Sequence, residues 1–324
     1  MPDLDIATRP RIPPLRTGRV IEGISAALLP FGPDERPDWE SFRRLLDRTW
    51  TAGLEPAVNM DTGYVNLLTR DERARVLSVT TDVAAGRGFV AGAFIEDQDG
   101  DPATLYRREV DTIRRHGGTP ILFQCSALAR RSEAEVLEVY RRVGETGPPL
   151  LAFELGQMFA PFGRIYSADF ARGLMDITAF RGLKHSSLDR VEEWTRLDLR
   201  DRHRPDFRIY TGNDLAIDMV FYGSDYLLGL STFAVEGFAL RDRLWADGDP
   251  RAVAINDLLQ YLGFIAFRPP VAAYKHSAAQ FLRLRGLVAT DHPHPAGLRR
   301  PDSDLPLLGD IAERLQAELA KARA

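Results

Sequence analysis

The sequence predicts a (β/α)8 barrel with a helical C-terminal extension, and three observations carry that prediction. Short apolar runs recur eight times between residues 20 and 230, each followed by a segment of helical period. No compositional break interrupts the alternation, which suits a closed barrel better than the alternative, an open parallel sheet with a separate helical domain. Beyond residue 235 the strand signals stop while helical periodicity continues. The expected organisation is a lead-in over 1–17, the barrel over 18–235 and the extension over 236–324.

The first strand is expected over 20–29, ending at Pro30–Phe31–Gly32–Pro33, followed by a helix over 39–51 with Phe42, Leu45, Leu46 and Trp50 on one stripe. Gly53 ends that helix before a strand over 56–60. A helix over 69–84 opens on Thr69 with Glu72 three residues on, the pattern of a capping box, and a strand over 88–94 follows. The alternation continues with a helix at 102–116, a strand at 120–125, a helix at 132–143 capped by Ser132 and Glu135, and a strand at 149–154. Next come helix 167–178, strand 180–184, helix 188–197, strand 207–211, helix 214–222 and strand 226–230. The extension reads as helices near 236–246, 250–266, 271–285 and 303–322. Such an extension suits a cap or an assembly surface better than a second catalytic domain.

Composition narrows the function classes. The chain of 324 residues is 44% hydrophobic and 27% charged with net charge −4, so it can bury a large core but offers no basic footprint for nucleic acid. Its arginines are interleaved with acids, as in Arg70–Asp71–Glu72–Arg73. The single cysteine, Cys125, cannot form an intramolecular disulfide and sits in an apolar run, which fits a buried hydrophobe in a reduced, cytoplasmic setting. Residues 1–14 lack an apolar signal core, and no run reaches the ~18 apolar residues of a membrane span, so neither export nor insertion is expected. His292 and His294 lie in a Pro-spaced loop without a third ligand, and no metal site is expected.

Lysine usage points to the chemistry. The chain has three lysines, at 184, 275 and 321, and its other 39 basic residues are arginine. A lysine kept at 184, at the end of an apolar strand, suits a task that a permanently charged guanidinium cannot perform: losing a proton and attacking a carbonyl. The plainer alternative is a solvated lysine at a strand end. In a barrel the active site lies at the C-terminal ends of the strands. Those ends deliver Asp61, Thr62, Gly63 and Tyr64; Gln124 and Cys125; Phe153 and Glu154; Lys184 and His185; Gly212, Asn213 and Asp214; and Ser231 and Thr232. This set has neither metal-ligand spacing nor a phosphate loop, so no cofactor is expected, pyridoxal phosphate included. An amine among hydroxyls, amides and carboxylates suits imine formation with a 2-oxo acid, and Phe180, Leu183 and Phe153 would lower its pKa by excluding water.

Two segments extend this reading. Gly182–Leu183–Lys184–His185–Ser186–Ser187, together with Thr62–Gly63 followed by Leu68–Thr69–Arg70–Asp71–Glu72–Arg73, resembles motifs of the dihydrodipicolinate synthase and N-acetylneuraminate lyase family, the imine-forming class I barrels. Gly212–Asn213–Asp214 and Ser231–Thr232–Phe233 resemble later elements of its sugar-acid branches. The resemblance runs over residues 20 to about 300. It implies an imine on Lys184, a substrate carboxylate held by Thr62 and the Gly63 amide, and substrate hydroxyls met by Asp214 and Ser231. It also implies a homodimer or homotetramer acting on a small 2-oxo acid, including a sugar-derived one, as an aldolase or dehydratase.

The departures matter equally. Phe153 stands where the family has its catalytic tyrosine, Asp61 replaces the first threonine of the loop and Tyr64 its glutamate. A phenylalanine cannot relay a proton, so Glu154 becomes the first candidate for that task, followed by Tyr64, Asp61 and His185. No counterpart is visible for the arginine that binds the second carboxylate in the synthase branch, which argues against lysine biosynthesis. The second reading is a barrel that binds a 2-oxo acid without turning it over.

Overall fold

The computed structural model describes residues 12–322, so most of the expected lead-in lies outside the described residues. Eight parallel strands close into a barrel in sequence order: β1 Gly23–Ala26, β2 Glu55–Val58, β3 Val90–Ala93, β4 Thr119–Leu122, β5 Leu150–Leu155, β6 Phe180–Ser186, β7 Arg208–Thr211 and β8 Asp225–Leu228. β1 pairs with β8 in parallel and completes the ring. Helices α1 Trp39–Thr51, α2 Arg70–Ala84, α3 Pro102–Arg115, the single turn α4 Ser126–Ala129, α5 Glu133–Gly144, α6 Ala168–Met175 and α7 Arg190–His203 surround it.

Local sequence accounts for most helix starts. Both expected capping boxes form, at Thr69 with Glu72 and at Ser132 with Glu135, and Asp38, Asp101 and Ser167 cap α1, α3 and α6. Each cap contributes about 1 kcal/mol. The helix expected over 214–222 is not α-helical; only a 3-10 segment, Ile217–Tyr222, forms. One side chain explains the difference: Gln260 Oε1 accepts from the Ile217 amide (2.9 Å), a donor that a helix starting at 214 would direct to the Asn213 carbonyl.

The barrel has two apolar layers, as strands covered on both faces require. Ile24, Ala57, Val90, Ile121, Leu151, Phe153, Tyr210 and Leu227 fill the lumen, while a larger core lies between strands and helices. An ionic cluster closes the base, where Tyr210 donates to Glu22 (2.6 Å), Arg181 pairs with Glu22 (3.0 Å) and Arg19 with Asp225 (2.6 Å). Cys125 is buried, with the Tyr106 hydroxyl 3.7 Å from its sulfur.

The extension consists of α8 Val235–Ala246, α9 Arg251–Ala266, α10 Tyr274–Leu284 and α11 Leu305–Lys321. α10 packs against the segment after β8, which brings its first turn to the barrel mouth. Among the described residues no helix is long and apolar enough to cross a membrane.

The lumen tolerates little added volume. A Cβ at Gly92 on β3 would lie 2.1 Å from the Asn59 carbonyl oxygen and 2.7 Å from the Phe123 ring. Gly92→Ala is expected to lower unfolding stability by about 3 kcal/mol, read by denaturant titration, because the closest neighbour is backbone and cannot rotate away.

Candidate active site

β5 and β6 run in register, Phe153 opposite Lys184, Glu154 opposite His185 and Leu155 opposite Ser186. Alternation therefore sends Phe153, Lys184 and Ser186 into the lumen and Glu154 and His185 toward the helices. At the mouth lies a narrow cavity of about 30 Å³, room for one or two water molecules. Its polar wall is Asp61, Thr62, Lys184, Ser186, Asp214 and Tyr274, and its apolar wall includes Met60, Phe153, Leu155, Phe159 and Phe267.

Lys184 lies over the Phe153 ring, Nζ 3.9 Å from the centroid, and among the described residues its amine has no hydrogen-bond or ion-pair partner. Burial lowers its pKa from 10.5 to about 8, against the opposing pull of Asp214 and Asp61. Asp214 shows the reverse: burial raises its carboxyl from 3.8 to about 7, with the Leu230 amide (2.7 Å to Oδ1) and Lys184 pulling downward. The site thus holds an amine and a carboxyl group that both change charge near neutrality. Gly212 makes room for them, since a Cβ there would meet Ser186 Oγ at 1.9 Å and Lys184 Cε at 3.1 Å. The buried Ser186 hydroxyl has no partner among the described residues, so a hydrogen-bonding position beside the amine is open.

Of the residues expected at the site, Lys184, Phe153, Asp61, Thr62 and Asp214 come together and five others do not. Glu154, the first candidate for proton transfer, is fully buried outside the lumen, its oxygens held by His185 Nδ1 (2.6 Å), Arg196 Nε (3.1 Å) and the Tyr166 amide (3.0 Å). Burial raises its pKa, but His185 and Arg196 outweigh that and hold it at about 2. His185 is occupied on both nitrogens, the second by Ser187 Oγ (2.7 Å). Tyr64, at φ 61°, turns away from the cavity to pack between Phe31 and His294, and burial holds its phenol protonated. The Gly63 amide already donates to the Met60 carbonyl (3.0 Å), and Ser231 Oγ to Ser25 Oγ (2.9 Å) and the Leu228 carbonyl.

Two residues entered the site that strand-end reasoning did not deliver. Tyr274, the first residue of α10, places its hydroxyl 2.8 Å from Thr62 Oγ1 and donates to Asp61 Oδ2 (3.0 Å). Lys275 Nζ pairs with Asp61 Oδ1 (2.9 Å). The scarcity of lysine was the available signal: Lys184 and Lys275, two of the chain's three, both lie at this site.

Residues 17–288 match the family described as "Protein of unknown function (DUF993)". The chain is 25% identical over 193 residues to the 4-hydroxy-tetrahydrodipicolinate synthase of Cytophaga hutchinsonii, an alignment covering 59% of this chain and 62% of that relative. The chain thus spans about three fifths of the length of the curated relative it matches. Among solved structures it is similar to dihydrodipicolinate synthase from Thermotoga maritima, with TM-score 0.77 and 17% identity over 92% of this chain and 99% of that one. It is also similar to YagE, a prophage protein of the dihydrodipicolinic acid synthase family from E. coli K12 in complex with pyruvate, with TM-score 0.78 and 16% identity over 91% and 98%. The fold implied by the resemblance is the fold found.

The outer cluster yields a stability test. Glu154→Gln leaves the buried Arg196 with only the more distant Glu192 carboxylate (3.9 Å) and is expected to cost about 3 kcal/mol in denaturant unfolding. A carboxylate depressed in the folded state stabilises above its ordinary 4.5, and that contribution is lost as pH falls toward about 2. The wild-type protein should therefore lose more stability than Glu154→Gln between those pH values.

Proposed function

We propose, from the premise that the chain belongs to the DUF993 family, that it is a class I lyase whose Lys184 forms an imine with a small 2-oxo acid. The observation that carries this is the Lys184 amine, unpartnered among the described residues and depressed to about 8, at the mouth of a barrel similar in fold to the dihydrodipicolinate synthase of Thermotoga maritima. At neutral pH a usable fraction of such an amine is uncharged and nucleophilic, whereas an ordinary lysine at 10.5 is almost wholly protonated. Attack on the keto carbon and loss of water give a protonated imine. That cation draws electrons from the neighbouring carbon, so a proton or a carbon substituent can leave.

The cavity suggests how the substrate is held. Ser186 offers an unused hydroxyl, and Asp214, near half protonation at neutrality, can donate to a substrate oxygen or accept from a hydroxyl. The Thr62 backbone amide is the loop donor left for the carboxylate, since the Thr62 hydroxyl is engaged by Tyr274 and the Gly63 amide by Met60. Aldol cleavage and dehydration share the imine step.

Borohydride reduction in the presence of pyruvate is expected to add the reduced three-carbon unit to the peptide containing Lys184, read by mass spectrometry, and Lys184→Arg should abolish the adduct. Labelling should rise with pH with a midpoint near 8, because the neutral amine is the reactive form. A wild-type protein that remained unlabelled across a panel of 2-oxo acids would defeat the proposal.

A further inference from the structure

Imine chemistry needs a group that moves protons, and strand five does not supply it. Phe153 has no ionisable atom, and Glu154 faces away from the lumen in a closed ionic cluster. The polar groups on the cavity wall are Lys184, Ser186, Asp214 and a connected set across from them: Thr62, Tyr274 and Asp61. The Tyr274 proton is directed at Asp61 Oδ2 (3.0 Å), so the 2.8 Å contact with Thr62 has the threonine hydroxyl donating to the phenol oxygen. Asp61 is in turn held by Lys275 through its other oxygen (2.9 Å). The result is a directed chain: Thr62 to Tyr274, Tyr274 to Asp61, with Lys275 fixing the carboxylate.

Space for this chain is reserved in the sequence. Gly229, just after β8, lies where a Cβ would stand 3.0 Å from Thr62 Oγ1 and 3.2 Å from the Tyr274 hydroxyl. The phenol is also fully buried, its ring stacked on Phe267 at 4.3 Å between centroids. A buried hydroxyl aimed at a carboxylate, on the wall that faces an amine, is placed as a proton carrier rather than as packing alone.

We propose that Tyr274, delivered by the C-terminal helix α10, is the proton-transfer residue of this site, with Asp61 as the acceptor at the end of its hydrogen bond. The inference rests on imine formation at Lys184. In the step, the carbon–hydrogen bond next to the imine carbon breaks and its electron pair neutralises the iminium, giving an enamine. The released proton goes to the Tyr274 oxygen, directly or through Thr62, as the proton already on Tyr274 passes to Asp61. Asp61 becomes a neutral acid and Lys275 keeps its charge, so charge balances. The reverse sequence protonates the enamine.

The test separates imine formation from proton transfer in the full chain with pyruvate. Wild-type protein is expected to be labelled by borohydride and to exchange the pyruvate methyl protons for deuterium in D2O, followed by proton NMR, with Lys184→Arg giving the background. Tyr274→Phe removes one oxygen. It should be labelled to the same equilibrium extent while exchange falls about 100-fold or more. Asp61→Asn should likewise keep the label and lose exchange. Exchange in Tyr274→Phe within a few-fold of wild type would overturn the assignment, as would loss of label and exchange by the same factor, which would make Tyr274 a residue for imine formation or folding. A wild-type protein that is never labelled would instead remove the imine reading beneath it.

Discussion

The register of β5 against β6 is the constraint on which the site depends. With Phe153 opposite Lys184 and Glu154 opposite His185, the pleat assigns each pair to one face. The inner pair becomes an amine over an aromatic ring, and the outer pair an ion cluster between barrel and helices. A slip of one residue would exchange them, burying the carboxylate in the lumen and turning Lys184 toward the helices. The outer cluster resists that slip, because Glu154 is held by His185, Arg196 and the Tyr166 amide together. Breaking such a group inside the protein leaves a buried charge uncompensated. The residue expected to move protons thus holds the strand that carries Lys184.

Glycines on the lumen side make a second, steric constraint. At Gly182 a Cβ would sit 2.7 Å from the Tyr210 ring, at Gly212 it would overlap Ser186 Oγ, and at Gly229 it would crowd Thr62 and Tyr274. Each missing side chain is matched by a neighbour that fills the space with a functional or supporting group. Tyr210 uses its space to reach Glu22 and close the base of the barrel, while the other two glycines leave room for polar groups at the mouth. A lumen packed to the density of other protein interiors could not hold them otherwise.

What the sequence made legible follows from the range of the interactions. Strand and helix alternation, the two capping boxes and the lysine at the end of β6 depend on neighbours within a few residues, and they are where the pattern puts them. The face that Glu154 would take was not legible, because β5, Leu150–Leu155, is buried on both faces, so its sequence shows no polar alternation to mark which side is the lumen. The helix expected over 214–222 failed for a tertiary reason, since Gln260 from α9 takes the amide hydrogen bond of Ile217. Tyr274 was hidden by distance. Its contacts to Thr62 and Asp61 span more than 200 residues and depend on how α10 packs at the mouth, which no local pattern encodes.

The extension also shapes the electrostatics of the amine. An unpaired carboxylate within ~4–6 Å of a lysine raises its pKa by ~1–3 units and would keep it protonated. Asp61 and Asp214 both pull Lys184 in that direction, and burial prevails over the two together. It prevails with help. The Asp61 carboxylate is paired with Lys275 at 2.9 Å, so an opposite charge from α10 offsets part of the field that would otherwise reach Lys184. Asp214 is itself drawn toward the neutral acid by burial, which weakens the second pull. The Lys275 amine that offsets the Asp61 charge lies over the Tyr64 and Tyr274 rings, 5.3 and 5.7 Å from their centroids. In a chain that otherwise favours arginine, the two lysines at this site have opposite settings, one whose charge is disfavoured by burial and one whose charge is held by the neighbouring acid.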